Sequence, residues 1–202
     1  FSADSFDGFV IERIRDDYIE GHYVEKINYQ ETVVDPFGHE TVFDRIGYRQ
    51  IDFTLYADFP NIELREPDRN IREFVSKLLE ICDFSVTVEP LSIDLLGWVS
   101  ELEVAGNAHL LVNSLQVAGV EFERGVFAKI LLKGDDDVRS TLDRISSTKV
   151  FDLEKLQVKI PYQQKLLPVQ LSSSAQAKIP DDLWEELRPV LRAGLGRVRR
   201  RS

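Results

Sequence analysis

IELREPDRNIREFVSKLLEICDF (residues 62–84) and ILLKGDDDVRSTLDRISSTKVF (residues 130–151) are two versions of one short pattern. Each opens on alternating apolar residues, Ile62 and Leu64 in the first and Ile130 and Leu132 in the second, as a half-buried strand does. An acidic turn follows, Pro67-Asp68 or the aspartates at 135–137, and then a stripe of helical period. The helical apolar positions match at one offset: Ile71 with Val138, Val75 with Leu142, Leu78 with Ile145. Arg72 and Arg139 each follow the first of these. The likeness predicts a strand–helix–strand module present twice, and so a fold assembled by duplication.

Outward from the first copy, Asp68 is placed to cap a helix carrying Ile71, Phe74, Val75, Leu78, Leu79 and Cys82 on one stripe. Phe84, Val86 and Val88 then alternate with Ser85, Thr87 and Glu89, which predicts a strand. Upstream, residues 22–34 form a polar, β-branched and aromatic run that ends at Asp35-Pro36-Phe37-Gly38, a type I turn signal. A return strand over 39–46 makes a long hairpin, and Ile51, Phe53, Leu55 and Ala57 open another half-buried strand. The hairpin has few strong apolar residues on either side. Such a hairpin projects from a body, pairs with a partner or closes over a site.

Between the copies, residues 91–102 suit a helical face through Leu91, Leu95, Trp98 and Leu102, yet the repeat asks for a strand and Gly97 weakens a helix by about 1 kcal/mol. Strands are expected near 110–117 and 126–133, then at 156–160 and 167–171, where Pro168 points to a sheet edge. A last helix opens at Pro180-Asp181-Asp182, is expected to kink or restart at Pro189, and to end at Gly194 and Gly196. Together these elements predict an α+β fold: mainly antiparallel sheet with helices on one face, a duplicated strand–helix–strand module and a long N-terminal β-hairpin before it. The expected division is 1–103 for the hairpin and first module, 104–179 for the second, and 180–202 for the terminal helix and a basic tail. The seam falls at 103–107.

Composition bounds function. The 202 residues are 43% hydrophobic and 30% charged, with a formal charge of −10. That sign opposes generic binding to nucleic acid or to an anionic membrane. The balance is uneven, because residues 188–202 hold six arginines and no acid, which leaves the rest at −16. Arg197, Arg199, Arg200 and Arg201 exceed what capping a helix dipole needs. They are the candidate partner-binding residues, for an acidic protein surface or, through this tail alone, for nucleic acid. A lone cysteine, Cys82, excludes an intrachain disulfide and reads as a small buried hydrophobe. No run approaches the roughly 20 apolar residues of a membrane helix. The location expected is cytoplasmic, with a removed signal peptide compatible with the Phe1 start.

Catalytic signals are weak throughout. His22, His39 and His109 have no chelating spacing, so no metal and no cofactor is predicted. The aspartates at 135–137 precede a helix and suit capping better than a cation loop. No nucleophile elbow or phosphate loop occurs, and no catalytic residue is assigned. Asp152, Glu154 and Lys155, with Glu121 and Glu123 in support, resemble a degraded metal-dependent nuclease pattern. The same alternation, Leu156, Val158 and Ile160 against Lys155, Gln157 and Lys159, also describes any amphipathic strand. The expectation is therefore a non-catalytic protein-binding or assembly protein that pairs with a protein partner or with itself. A metal-dependent hydrolase acting on nucleic acid is the first alternative, and a carrier of an apolar ligand the second.

Overall fold

The computed structural model describes residues 7–67, 71–146, 150–162 and 165–201. The chain divides into two compact units, Phe1–Glu89 and Pro90–Ser202. Both are α+β with antiparallel sheets, of four and five strands.

In the first unit β1 (Gly8–Ile14), β2 (Tyr18–Val34), β3 (Glu40–Tyr56) and β4 (Ile62–Arg65) lie in sequence order. One sheet face is aromatic. Tyr23, Ile51 and Phe53 are buried there beneath Phe74 of helix α1 (Arg72–Ile81), with Phe9, Leu55, Leu64, Val75 and Leu78 packed around them. The rings of Phe9, Tyr23, Phe53 and Phe74 meet at 5.0–6.0 Å in tilted and edge-on pairs, the geometry ring quadrupoles favour. Burial pushes the Tyr23 phenol up to about 12. The stripe that predicted α1 thus does face a core. The Asp68 cap lies outside the described residues. Cys82 closes the helix half-buried.

The strand expected at residues 84–88 does not form. Asp83 and Phe84 both take left-handed backbone (φ 50° and 53°), and the Phe84 N–H turns back to the Leu79 carbonyl at 2.8 Å. That curled end leaves Phe84 exposed and gives the alternating run no neighbour to pair with. A strand needs a ladder, and alternation alone does not supply one. The likeness between the copies therefore covers an edge strand and a helix, β4 with α1 in the first and Val126–Lys133 with Arg139–Ser146 in the second. Duplication of a whole module is not shown.

The second unit begins with α2 (Leu95–Gly106), which makes residues 95–102 of the ambiguous stretch helix and leaves 91–94 as the lead-in to its cap. The Asp94 side chain accepts from the Leu96 N–H at 3.1 Å, an N-cap. Gly97 belongs to that cap, since a Cβ there would stand 2.6 Å from the Asp94 carboxylate. Asn107 ends the helix in left-handed backbone, so the expected seam at 103–107 is the last turn of α2 and its cap. The sheet runs β6 (Val126–Lys133), β5 (Leu111–Glu123), β7 (Asp152–Tyr162), β8 (Lys165–Ser172), β9 (Ala177–Lys178). One of its faces is the core: Leu115, Val117, Leu156, Val158, Val169 and Leu171 are all buried. Pro168 sits on β8 beyond the two-residue reach of β9, where β8 is the margin of the sheet. Helix α3 (Arg139–Ser146) follows β6, and Asp137 accepts from the Arg139 N–H at 2.9 Å, the capping role expected of the acidic run.

Helix α4 (Trp184–Arg201), led in by a 3₁₀ turn at Asp181–Leu183, corrects two expectations. It continues through Pro189 and through Gly194 and Gly196, so the basic residues are its last turns and not a tail. Packing holds it. Leu191, Leu195 and Val198 are buried at helical spacing, and the Trp98 indole donates to the Leu191 carbonyl at 3.0 Å. Gly194 makes room for that contact, because a Cβ would meet Trp98 at 3.0 Å and Leu102 at 3.3 Å. The cost of an internal proline, about 3 kcal/mol, is offset by burial of this stripe.

Candidate interaction surface

The hairpin is longer than its sequence suggests. β2 and β3 are 17 residues each and pair without interruption from Tyr18–Tyr56 to Val34–Glu40. At Gly47, one residue past the expected end of the return strand, the Tyr29 ring stands 3.3 Å from where a Cβ would be. The neighbours stop early: β1 accompanies β2 only as far as Val24, and β4 accompanies β3 only from Asp52. Residues 25–34 and 40–49 therefore form a two-stranded arm about 34 Å long. Its tip is shut by the Gly38 N–H on the Asp35 carbonyl at 3.0 Å and by Asp35 Oδ1 accepting from the N–H groups of Phe37 and His39. The His39 backbone N–H, and then its ring, hold the Asp35 carboxyl below its ordinary value.

The two faces of the arm differ. On one, Arg49 pairs with Glu25 at 3.1 Å and Arg45 with Glu31 at 2.8 Å, and Arg45 lies over the Phe43 ring at 5.4 Å. Its charges cancel. The other face carries exposed Val34, Val42, Ile46 and Tyr48, with Gln30 donating to Asp44 at 3.1 Å. Glu40 on that face forms no ion pair among the described residues. At the tip Phe37 is 86% exposed. Apolar side chains on an isolated two-stranded ribbon contribute nothing to a core of their own.

Of the arginines expected to bind a partner, Arg197 reaches the nearly buried Glu101 of α2 at 3.9 Å. A carboxylate in that position needs a cation, so part of the basic run neutralises the fold's own acid. The side chains of Arg199, Arg200 and Arg201 lie outside the described residues, although their backbone is helical. Asp152 and Glu154 fall on β7 beside Lys155. Glu154 is bound to Lys129 and accepts from Gln116 at 2.8 Å, which holds its carboxyl below the ordinary value. No group of three or more His, Cys, Asp and Glu is placed to hold a metal among the described residues.

One cluster went unread in the sequence. Arg139, noticed only as a repeat position, donates to both Asp137 oxygens, to Glu103 at 3.2 Å and to the Leu110 carbonyl at 2.9 Å. His109 joins through Nδ1 to Glu103 at 3.0 Å. The node ties the end of α2, the entry to β5 and the start of α3. Burial alone would raise the Glu103 and Asp137 carboxyls, but the hydrogen bonds and charge of Arg139 hold both below their ordinary values. All of its donors and acceptors are engaged with one another, so it is a clamp. Contacts from sequence positions 36 apart leave no local signal.

No helix among the described residues is long and apolar enough to cross a membrane. Comparison with family models, curated proteins and solved structures finds no match.

Proposed function

We propose that this chain is a non-catalytic assembly protein that docks through the β2–β3 arm. The observation that carries this reading is a two-stranded ribbon, ten residue pairs long, with exposed apolar side chains on both faces and no third strand beside it among the described residues. Its free edges offer backbone N–H and C=O groups to an added strand, and its faces offer apolar area. Arg199, Arg200 and Arg201 at the end of α4 form a second, electrostatic contact in this reading, Arg197 being held by Glu101.

Sedimentation velocity from 1 to 100 µM tests it, with the full chain compared against a variant in which residues 30–44 are replaced by Asn-Gly. That two-residue loop closes the hairpin between the opposed Tyr29 and Arg45. The full chain associates and the shortened one stays monomeric. Identical monomers from both would overturn the reading. Replacing Arg199, Arg200 and Arg201 by glutamine weakens association at low salt if the helix end takes part.

A further inference from the structure

We infer that the arm of one copy docks on the open, lysine-bearing face of the five-stranded sheet of another, giving a head-to-tail assembly; this rests on the assembly reading above. The register places Lys133 of β6, Lys155 and Lys159 of β7 and Lys178 of β9 on the sheet face opposite the core, with Gln157 and Gln170 between them. None of these four lysines forms an ion pair among the described residues, although the Glu154 carboxylate, held by Lys129 and Gln116, also feels the charge of Lys155. Lysines on edge strands guard against chance pairing, which accounts for Lys133 and Lys178. β7 is the third strand of five, so edge protection does not account for Lys155 and Lys159. Leu131, 63% exposed on the same face, adds an apolar contact.

The arm supplies the complement. On its unbalanced face Glu40 and Asp44 stand four residues apart on β3, as Lys155 and Lys159 do on β7. At strand rise both separations are about 13 Å. Val42 and Ile46 lie on the same arm face, beside the two carboxylates, and bring apolar area to Leu131. Residues 30–44 carry four acids and no lysine or arginine. The charge of the chain is divided the same way: Phe1–Glu89 holds 20 acids against 9 bases, a net −11, while Pro90–Ser202 holds 15 against 16, a net +1. Copies of a chain at −10 repel on average. A contact between an acidic arm and a basic sheet face is the orientation in which that repulsion reverses, and because the two surfaces differ, the contact repeats from copy to copy.

The test is charge reversal and rescue in the full chain, read by sedimentation velocity at 50 and 500 mM NaCl. E40K/D44K and K155E/K159E each weaken association at least tenfold at low salt, and the quadruple variant carrying both pairs regains it. Circular dichroism verifies that these exposed substitutions leave the fold intact. Association that depends on the arm but ignores K155E/K159E sinks the sheet-face assignment and leaves the assembly reading standing. A wild-type chain monomeric to 100 µM sinks both. A fluorescent dT20 probe, added to the same samples, distinguishes the other anionic occupant: binding by the wild-type monomer, abolished in K155E/K159E, assigns the face to nucleic acid and overturns this proposal.

Discussion

Replacing Arg139 with methionine removes the cation of the clamp while keeping most of its apolar volume. Two carboxylates then remain, Glu103 and Asp137, with side chains only 20% and 25% exposed. Breaking a buried pair by removing one partner costs about 3–5 kcal/mol. These groups are partly wet and keep the backbone N–H groups of Leu110, Val112 and Arg139, so the expected loss at pH 7 is about 2–3 kcal/mol. The pH dependence has a definite sign. Both carboxyls are depressed in the fold, so their stabilisation is full above the unfolded carboxylate range near about 4 and is lost as pH falls through the lower folded values. Protonated carboxyls no longer need the guanidinium. The difference between Arg139→Met and the parent therefore shrinks as pH drops from 7 towards 3. Urea unfolding followed by tryptophan fluorescence measures it, and both tryptophans, Trp98 and Trp184, lie in the unit that holds the clamp. A loss under 0.5 kcal/mol at pH 7, or a difference that grows on acidification, would refute the clamp.

Gly97→Ala ought to stabilise α2 by about 1 kcal/mol on helix propensity alone. The structure predicts no such gain, because the new Cβ displaces the Asp94 cap, itself worth about 1 kcal/mol. In an Asp94→Ala background the same substitution does stabilise, and thermal melts of the four proteins close this cycle. Equal effects in both backgrounds would contradict the cap. Tyr23 is expected to ionise last among the tyrosines in an alkaline absorbance titration. Its raised value means that stability contributed by the neutral phenol is present below about 10 and is lost as pH rises towards about 12. A full complement of tyrosines titrating near 10 in the folded protein would show that Tyr23 is not buried.

The residues explain which elements were legible. The stripe of Phe74, Val75 and Leu78 and the alternation of Leu156, Val158 and Ile160 are periodicities within one segment, and both elements form where they predict. The Asp35-Pro36-Phe37-Gly38 turn is local chemistry and closes as expected. Local pattern determined the α+β class, the antiparallel habit and the presence of a long hairpin. Three matters were decided only between segments. Residues 84–88 alternate but find no ladder, α4 crosses one proline and two glycines because Trp98 and Leu102 receive it, and β3 runs through Gly47 because Tyr29 covers it. Candidate surfaces followed the same division. The arginines of α4 were visible as a run of like charge, yet the structure gives Arg197 to Glu101. The lysines of the sheet face are scattered over three strands, and only strand register gathers them on one side. Sequence period encodes which way a side chain points within its own element, whereas a neighbour across the fold decides whether that direction meets a core, a counter-charge or open solvent.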